Sequence, residues 1–388
     1  MRRLLFALIP AGLLLLAGEL AGRAFTEPLL RTGPVFAHGF PGVPFVRAGP
    51  NRMRARFQDP DPSTAFAEMP EAGVPRVFVF GESSVRGGVR GIRADMEFPA
   101  VLMGRLIPSL GRVEVLNFGK PGVEMAEITP IARASAPYLP DLVVLYAGHN
   151  AVGNATMRAL APAVHPVPER LEALGLYRMV RLIGAWARPP PPPLLPPPSD
   201  VGKGFADALD PFLDLWARAG VEVVLTSPIS NVWTWPAGTP VCPEVSRAAW
   251  QIAPTGAWSI RAEVPETVAE RMYAQAPACP EVCFVWGRAR YARGEEREGL
   301  ALLEQARDHD PLPLRANTTI LEVIRARSAR PGVRFVDVAA LWPALGPGVR
   351  DRFHDLLHFS VSGHAAMADT LLPTVRAALD ARRGAPAQ

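Results

Sequence analysis

Lysine is almost absent from this chain. Two residues, Lys120 and Lys203, stand against 39 arginines in 388 positions. The arginines are scattered, not gathered into tracts, and the formal net charge is only +4. A nucleic-acid-binding surface needs clustered basic side chains, so no nucleic-acid partner is expected. The excess of Arg over Lys, together with bulk Ala, Pro and Gly, reads as the signature of a GC-rich genome. Cysteine is scarce as well: Cys242, Cys279 and Cys283. Three thiols leave at least one unpaired, and spacing does not fix the pairing. Cys279 and Cys283 lie four apart, with no His or further Cys nearby to complete a zinc pattern. Structural thiols or one disulfide are expected, with neither metal nor cofactor. Beyond the N-terminus no segment is long and apolar enough to span a bilayer.

Apolar residues make up 49% and charged residues 20%, which supports a sizeable core and excludes wholesale disorder. At about 150 residues per domain the length allows about two domains. Residues 1–24 carry Arg2 and Arg3 ahead of an apolar run from Leu4 to Gly18. Two readings compete. An uncleaved signal anchor would keep the basic end in the cytoplasm. A cleaved signal peptide would use the small residues near Gly22 and Ala24. Either places the remainder outside the cytoplasmic membrane, and either permits a disulfide.

Residues 25–75 lack clear periodicity and read as a lead-in packing on the body. From residue 76 the pattern alternates. Short apolar runs at 76–80, 113–118, 141–146, 221–226 and 333–338 read as buried strands, the first three ending in glycine. Residues 98–110, 205–219 and 362–381 read as helices, the last with Ser362 as its cap and Arg382 and Arg383 at its negative end. Strands separated by helices imply a parallel sheet covered on both faces, with ligands beyond the strands' carboxyl ends. The expected body is therefore 76–230 and 329–383. Pro189–Pro198 should be a stiff polyproline II spacer. Residues 231–328 form an insertion. Within it Gly287, Gly294, Leu303, Ala306 and Pro311 fall at spacings like those of one tetratricopeptide repeat, with Tyr291 one place off. A lone repeat cannot bury its own face, so it should pack on the body or on a protein partner. Trp233, Trp235, Trp250 and Trp258 read as irregular loop, their rings for packing in preference to a substrate platform.

The residues with chemical potential follow the strands. The first strand delivers Gly81-Glu82-Ser83-Ser84, the second Asn117-Phe118-Gly119-Lys120-Pro121-Gly122, the third Gly148-His149-Asn150. Near the C-terminus stands Asp355-Leu356-Leu357-His358. A serine in such a turn is exposed at the crevice, a glycine can present a bare N–H, and Asn150 offers an amide donor. An Asp three residues before a His allows a local carboxylate–imidazole pair. The Gly-x-Ser-x-Gly elbow of α/β-hydrolases is absent.

These four blocks, in this order, resemble the SGNH (GDSL) hydrolase superfamily, in a membrane-anchored bacterial branch with a tetratricopeptide-like insertion. Its marker residues match Ser83, Gly122, Asn150 and His358, with Asp355 matching the acid. The resemblance covers about 76–150 and 333–381. It implies a flavodoxin-like three-layer α/β/α fold with a five-stranded parallel sheet. It also implies an esterase in which Ser83 attacks, His358 is the base, Asp355 orients it, and Ser83, Gly122 and Asn150 form the oxyanion hole. The substrate would be a small-molecule or glycan ester. Glu82, Ser84, Ala151 and Phe359 depart from the family pattern without removing a catalytic group. His149, His354 and His364 read as structural or rim, and Arg315 as a surface residue or a carboxylate or phosphate contact. Two alternatives stand: an O-acyltransferase on envelope polysaccharide using the same residues, and a scaffold binding a partner through the helical insertion.

Overall fold

The computed structural model describes residues 15–21, 24, 44–55, 65–87, 92–160, 176, 196–235, 242, 249–252, 258–260, 264–342 and 346–384. The chain divides into two compact units, 1–38 with 156–196 and 39–155 with 197–388. In the smaller unit, residues 15–21 are helical and the Glu19 carboxylate accepts a hydrogen bond from the Leu176 N–H at 3.0 Å. No helix among the described residues is long and apolar enough to cross a membrane. The start of the apolar N-terminal run and most of the proline tract lie outside the described residues. The tract's last residue, Pro198, opens the helix Pro198–Arg218. Only at that last residue is the spacer expectation corrected, and proline suits a helix's first position because the missing N–H has no intrahelical partner there.

The larger unit is built on a five-stranded parallel sheet. Its strands are β4 (Arg76–Gly81), β5 (Glu114–Gly119), β6 (Leu142–Tyr146), β7 (Glu222–Thr226) and β10 (Val333–Val336), in the order β10-β7-β6-β4-β5. This is the three-layer α/β/α architecture expected from the alternating pattern. Successive residues face opposite layers. Val77, Val79, Leu142, Val144 and Val224 share a core with the helices Phe98–Leu110 and Val361–Gly384. Phe78, Phe80, Val143, Leu145, Val223 and Leu225 share the other with the helices Met125–Ser135, Pro198–Arg218 and Thr318–Arg325. Burial on both faces explains why these strands read as unbroken apolar runs. The chain leaves β4 for the β5 edge and later returns to the other side of β4 as β6. The strand order therefore reverses at β4, and a crevice opens there at the carboxyl ends.

Gly81 ends β4 where no side chain fits: a methyl there would overlap the Tyr146 carbonyl oxygen and Val85 Cγ2. Gly81→Ala is expected to destabilise the fold by about 3 kcal/mol, since overpacking against backbone cannot relax by rotamer change. Chemical denaturation of the purified variant would measure this, and a loss under about 1 kcal/mol would contradict the packing described.

The lead-in contains three short antiparallel strands, β1 (Phe45–Gly49), β2 (Arg52–Ala55) and β3 (Phe66–Ala67). It packs on the body through Phe45 and Phe66, which meet Phe118 and Tyr138 edge to face at ring separations of 5.2–5.7 Å. Ser360, not Ser362, accepts the capping bond, from Gly363 N–H at 3.2 Å. The closing helix begins at Val361, one residue earlier than expected, so the cap moves with it.

The insertion holds a strand pair, β8 (Trp250–Ile252) with β9 (Trp258–Ile260), where irregular loop was expected. Three helices follow, Glu266–Gln275, Pro280–Ala292 and Glu296–Asp308. The last two meet at Gly287 and Gly299: a Cβ on either would come within 2.8 Å of the other's carbonyl oxygen. Trp233 and Trp235 are buried against Tyr291 and Phe284, so these rings serve packing. Cys242 is joined to Cys279, and Cys283 is a buried free thiol. The helix Thr318–Arg325 returns to the body, where Thr319 and Val323 cover Gly202.

Candidate functional site

Ser83 begins a short helix, Ser83–Arg86, immediately after β4. Its Oγ lies 2.8 Å from His358 Nε2. His358 Nδ1 lies 2.7 Å from Asp355 Oδ2. A carboxylate only accepts, so Nδ1 carries the proton and Nε2 is left to accept from the serine hydroxyl. Residues 275 apart in sequence thus form one continuous chain of polar contacts. Asp355 Oδ1 accepts the N–H groups of Leu357 at 2.9 Å and His358 at 2.8 Å. Partial burial of its carboxylate opposes the Asp355 charge. The hydrogen bond and charge of His358, with these two N–H groups, outweigh it and hold the carboxyl down at about 2.

Gly122 and Asn150 stand beyond the carboxyl ends of β5 and β6. Gly122 stands in a turn after β5 at φ +77°. Asn150 Nδ2 donates to the Val123 carbonyl at 2.8 Å, and Asn154 Nδ2 donates to the Gly122 carbonyl at 2.9 Å. Two amides one helical turn apart therefore pin the turn that presents Gly122. Asn154 escaped the sequence reading, although its spacing of four from Asn150 places both on one helix face. Asn117 fixes the same loop from β5. Its Oδ1 accepts Gly119 N–H at 2.8 Å, and its Nδ2 donates to Val85 O at 3.1 Å and to Glu97 Oε2 at 2.7 Å. Burial raises the Glu97 carboxyl to about 7 against the pull of Arg86 and Asn117.

Glu82 is buried and spans the two strand ends. Its carboxyl oxygens accept Gly148 N–H at 2.9 Å and Asn150 N–H at 3.1 Å. This carboxyl thereby ties the serine turn to the Asn150 turn. Burial pushes the carboxyl up to about 8, and the backbone N–H groups offset only part of that rise. A carboxyl raised on folding keeps a proton that the unfolded chain releases. Its contribution is therefore fully present below the unfolded value of about 4.5 and is lost as pH rises through about 8. The stability difference between wild type and Glu82→Gln should shift in favour of the variant from pH 5 to pH 8. Urea unfolding at both values measures this, and a pH-independent difference would contradict it.

His149 is fully buried. Its Nδ1 accepts Ala316 N–H at 3.1 Å and its Nε2 meets the Tyr146 hydroxyl at 3.2 Å. Burial first, then the nearby His358, lowers it to about 3. His364 is buried between the Phe98 and Phe359 rings, accepts Phe98 N–H at 3.1 Å, and is lowered by burial to about 4. His354 donates its backbone N–H to the His358 carbonyl at 2.8 Å, closing the turn. His149 and His364 are thus held by packing and hydrogen bonds, whereas the His354 side chain is exposed and only its backbone takes part in the turn.

Arg315 corrects the expectation of an exposed side chain. It is 2% exposed. Its Nη1 donates to the carbonyls of Asn231 and, at 3.2 Å, Thr234, and burial lowers it to about 10. Backbone carbonyls make that burial tolerable by taking over hydrogen bonds that water would otherwise supply. Among the described residues one cluster has metal-ligand composition, Cys242, Cys279 and Glu281. The disulfide occupies two of its three donors.

No family model and no curated protein matches this chain. Solved structures do. A lipase/acylhydrolase from Enterococcus faecalis is 13% identical, with 81% of this chain and 100% of that chain covered and a TM-score of 0.38. An acetyl xylan esterase is 13% identical, with 77% and 99% covered and a TM-score of 0.39. A psychrotrophic esterase from Pseudoalteromonas, in a form inhibited by monoethylphosphonate, is 9% identical, with 79% and 98% covered and a TM-score of 0.38.

Proposed function

We propose that this chain is a serine esterase of the SGNH type, hydrolysing a carboxylic ester of a small molecule or glycan. The observation that carries the reading is the Ser83–His358–Asp355 chain, with contacts of 2.8 and 2.7 Å at the carboxyl end of β4. Free serine is a poor nucleophile and needs a base within hydrogen-bond reach. His358 Nε2 takes the Ser83 proton as Oγ bonds to the ester carbonyl carbon. Asp355 stabilises the imidazolium that results. The oxyanion faces the N–H groups of Ser83 and Gly122 and the Asn150 amide, each such donor being worth about 3–4 kcal/mol. His358 then protonates the departing alcohol. Water enters by the reverse sequence and releases the acid, leaving Ser83 free.

The motifs in the four blocks support the superfamily assignment. Arg2, Arg3 and the apolar run support a site of action outside the cytoplasmic membrane, by anchor or export. The glycine contact between the insertion's last two helices is compatible with one tetratricopeptide-like hairpin packed on the body. The test is an assay of the purified chain with short-chain aryl esters and with a fluorophosphonate probe. Turnover together with covalent labelling is expected. Absence of both would sink the esterase reading and leave a binding protein on a hydrolase-like frame.

A further inference from the structure

Asp355 and His358 lie on a surface loop, and Asp355 is exposed. The loop's own hydrogen bonds bring Asp355 and His358 together, but they do not set where the pair stands relative to Ser83. Something must fix the loop's backbone. Three consecutive carbonyls of the loop are each bound from outside it. Asn231 Nδ2 donates to Asp355 O at 2.9 Å. Asn231 N–H donates to Leu356 O at 2.9 Å. Ser84 Oγ donates to Leu357 O at 3.1 Å. Asn231 is itself 2% exposed and held on every polar group. Its Oδ1 accepts Trp233 N–H at 3.2 Å, its Nδ2 also meets Thr234 Oγ1 at 3.0 Å, and its carbonyl accepts from the buried Arg315 guanidinium.

We infer that Asn231, backed by Arg315, is a positioning residue for the acid–base pair, and that Ser84 performs the same office from the nucleophile's own turn. The inference rests on the esterase reading above and adds to it. Asn231 follows β7, whereas the four motif blocks follow β4, β5 and β6 or lie near the C-terminus. It couples the start of the insertion to the Asp355–His358 loop 124 residues away. Arg315, at the insertion's other end, grips the same segment. The insertion is thereby tied to the geometry of the base from both of its ends. Ser84, adjacent to Ser83, ties the nucleophile's own turn directly to the loop that carries the base.

The prediction is a split between kcat and KM. Asn231→Ala should lower kcat for an aryl ester by about 10- to 100-fold, the loss that accompanies a small misplacement of reacting groups. KM should stay within about twofold, because neither residue is proposed to touch substrate. Ser84→Ala removes one hydroxyl at a site that alanine fits. It should lower kcat in the same direction by a smaller factor, with its melting temperature close to wild type. The fluorophosphonate labelling rate of Ser83 should fall in parallel with kcat in both variants. Unchanged kcat in a folded Asn231→Ala, or a rise in KM alone, overturns the inference. Should Asn231→Ala fail to fold, unchanged kcat and labelling in Ser84→Ala overturn it for the loop as a whole. A wild-type chain without Ser83-dependent labelling fails earlier and differently: it refutes the esterase reading, and the clamp loses its catalytic meaning with it.

Discussion

Ser83→Ala is expected to reduce ester turnover by about 10⁴-fold or more and to abolish fluorophosphonate labelling, with the fold intact. The size follows from what is removed. Without Oγ no covalent acyl intermediate forms, and loss of the nucleophile of such a triad costs about as much as loss of the whole set. What survives is the part contributed by the oxyanion donors and by substrate binding. The fold should tolerate the change because Ser83 is only half-buried and its Oγ makes its described contact with the half-exposed His358 and with no core residue. The neighbouring Ser84 does not replace it. Ser84 is buried and its hydroxyl is committed to the Leu357 carbonyl. Near-wild-type turnover in Ser83→Ala would remove Ser83 from the mechanism and move attention to a direct attack by water. Circular dichroism and the melting temperature would separate either result from simple unfolding.

How much of this was legible in the sequence depends on whether the responsible interaction is local. The strands β4, β5 and β6 were legible because burial on both faces leaves an unbroken apolar run closed by glycine. Ser83, Gly122 and Asn150 were singled out through the resemblance of their blocks to a known hydrolase pattern, since position after a strand would by itself fit a plain turn or helix cap as well. The Asp355–His358 pair was legible because a spacing of three suffices for contact. Asn154, Asn231 and Arg315 were not. Asn154 matters only through the Gly122 carbonyl 32 residues away, and Asn231 only through a loop 124 residues away. Arg315 looked like an exposed residue because an arginine's burial requires acceptors. Those acceptors, the carbonyls of Asn231 and Thr234, come from a segment more than 80 positions earlier. The strands β8 and β9 were missed for a different reason: three residues each carry too short a pattern to outweigh their loop-like surroundings.

Asp355→Asn offers the second large effect, and its cause lies in how the two carboxylate oxygens are used. Oδ1 accepts two backbone N–H groups, from Leu357 and His358. Oδ2 accepts the His358 Nδ1 proton. An asparagine has one acceptor oxygen. The two N–H groups claim it, since an NH₂ in that place would face two donors. The NH₂ is then turned toward His358 Nδ1, which must accept. The imidazole proton moves to Nε2, and Nε2–H now points its proton at Ser83 Oγ. In that tautomer His358 cannot take the serine proton. The geometry survives and the chemistry does not, so a loss of about 10⁴-fold in kcat is expected with little change in KM. Asp355→Ala should be compared directly. It leaves the N–H groups of the loop without their acceptor and so should also lower stability, which the asparagine variant should largely retain. Comparable activity in Asp355→Asn and wild type would show that Asp355 shapes the loop without setting the tautomer of His358.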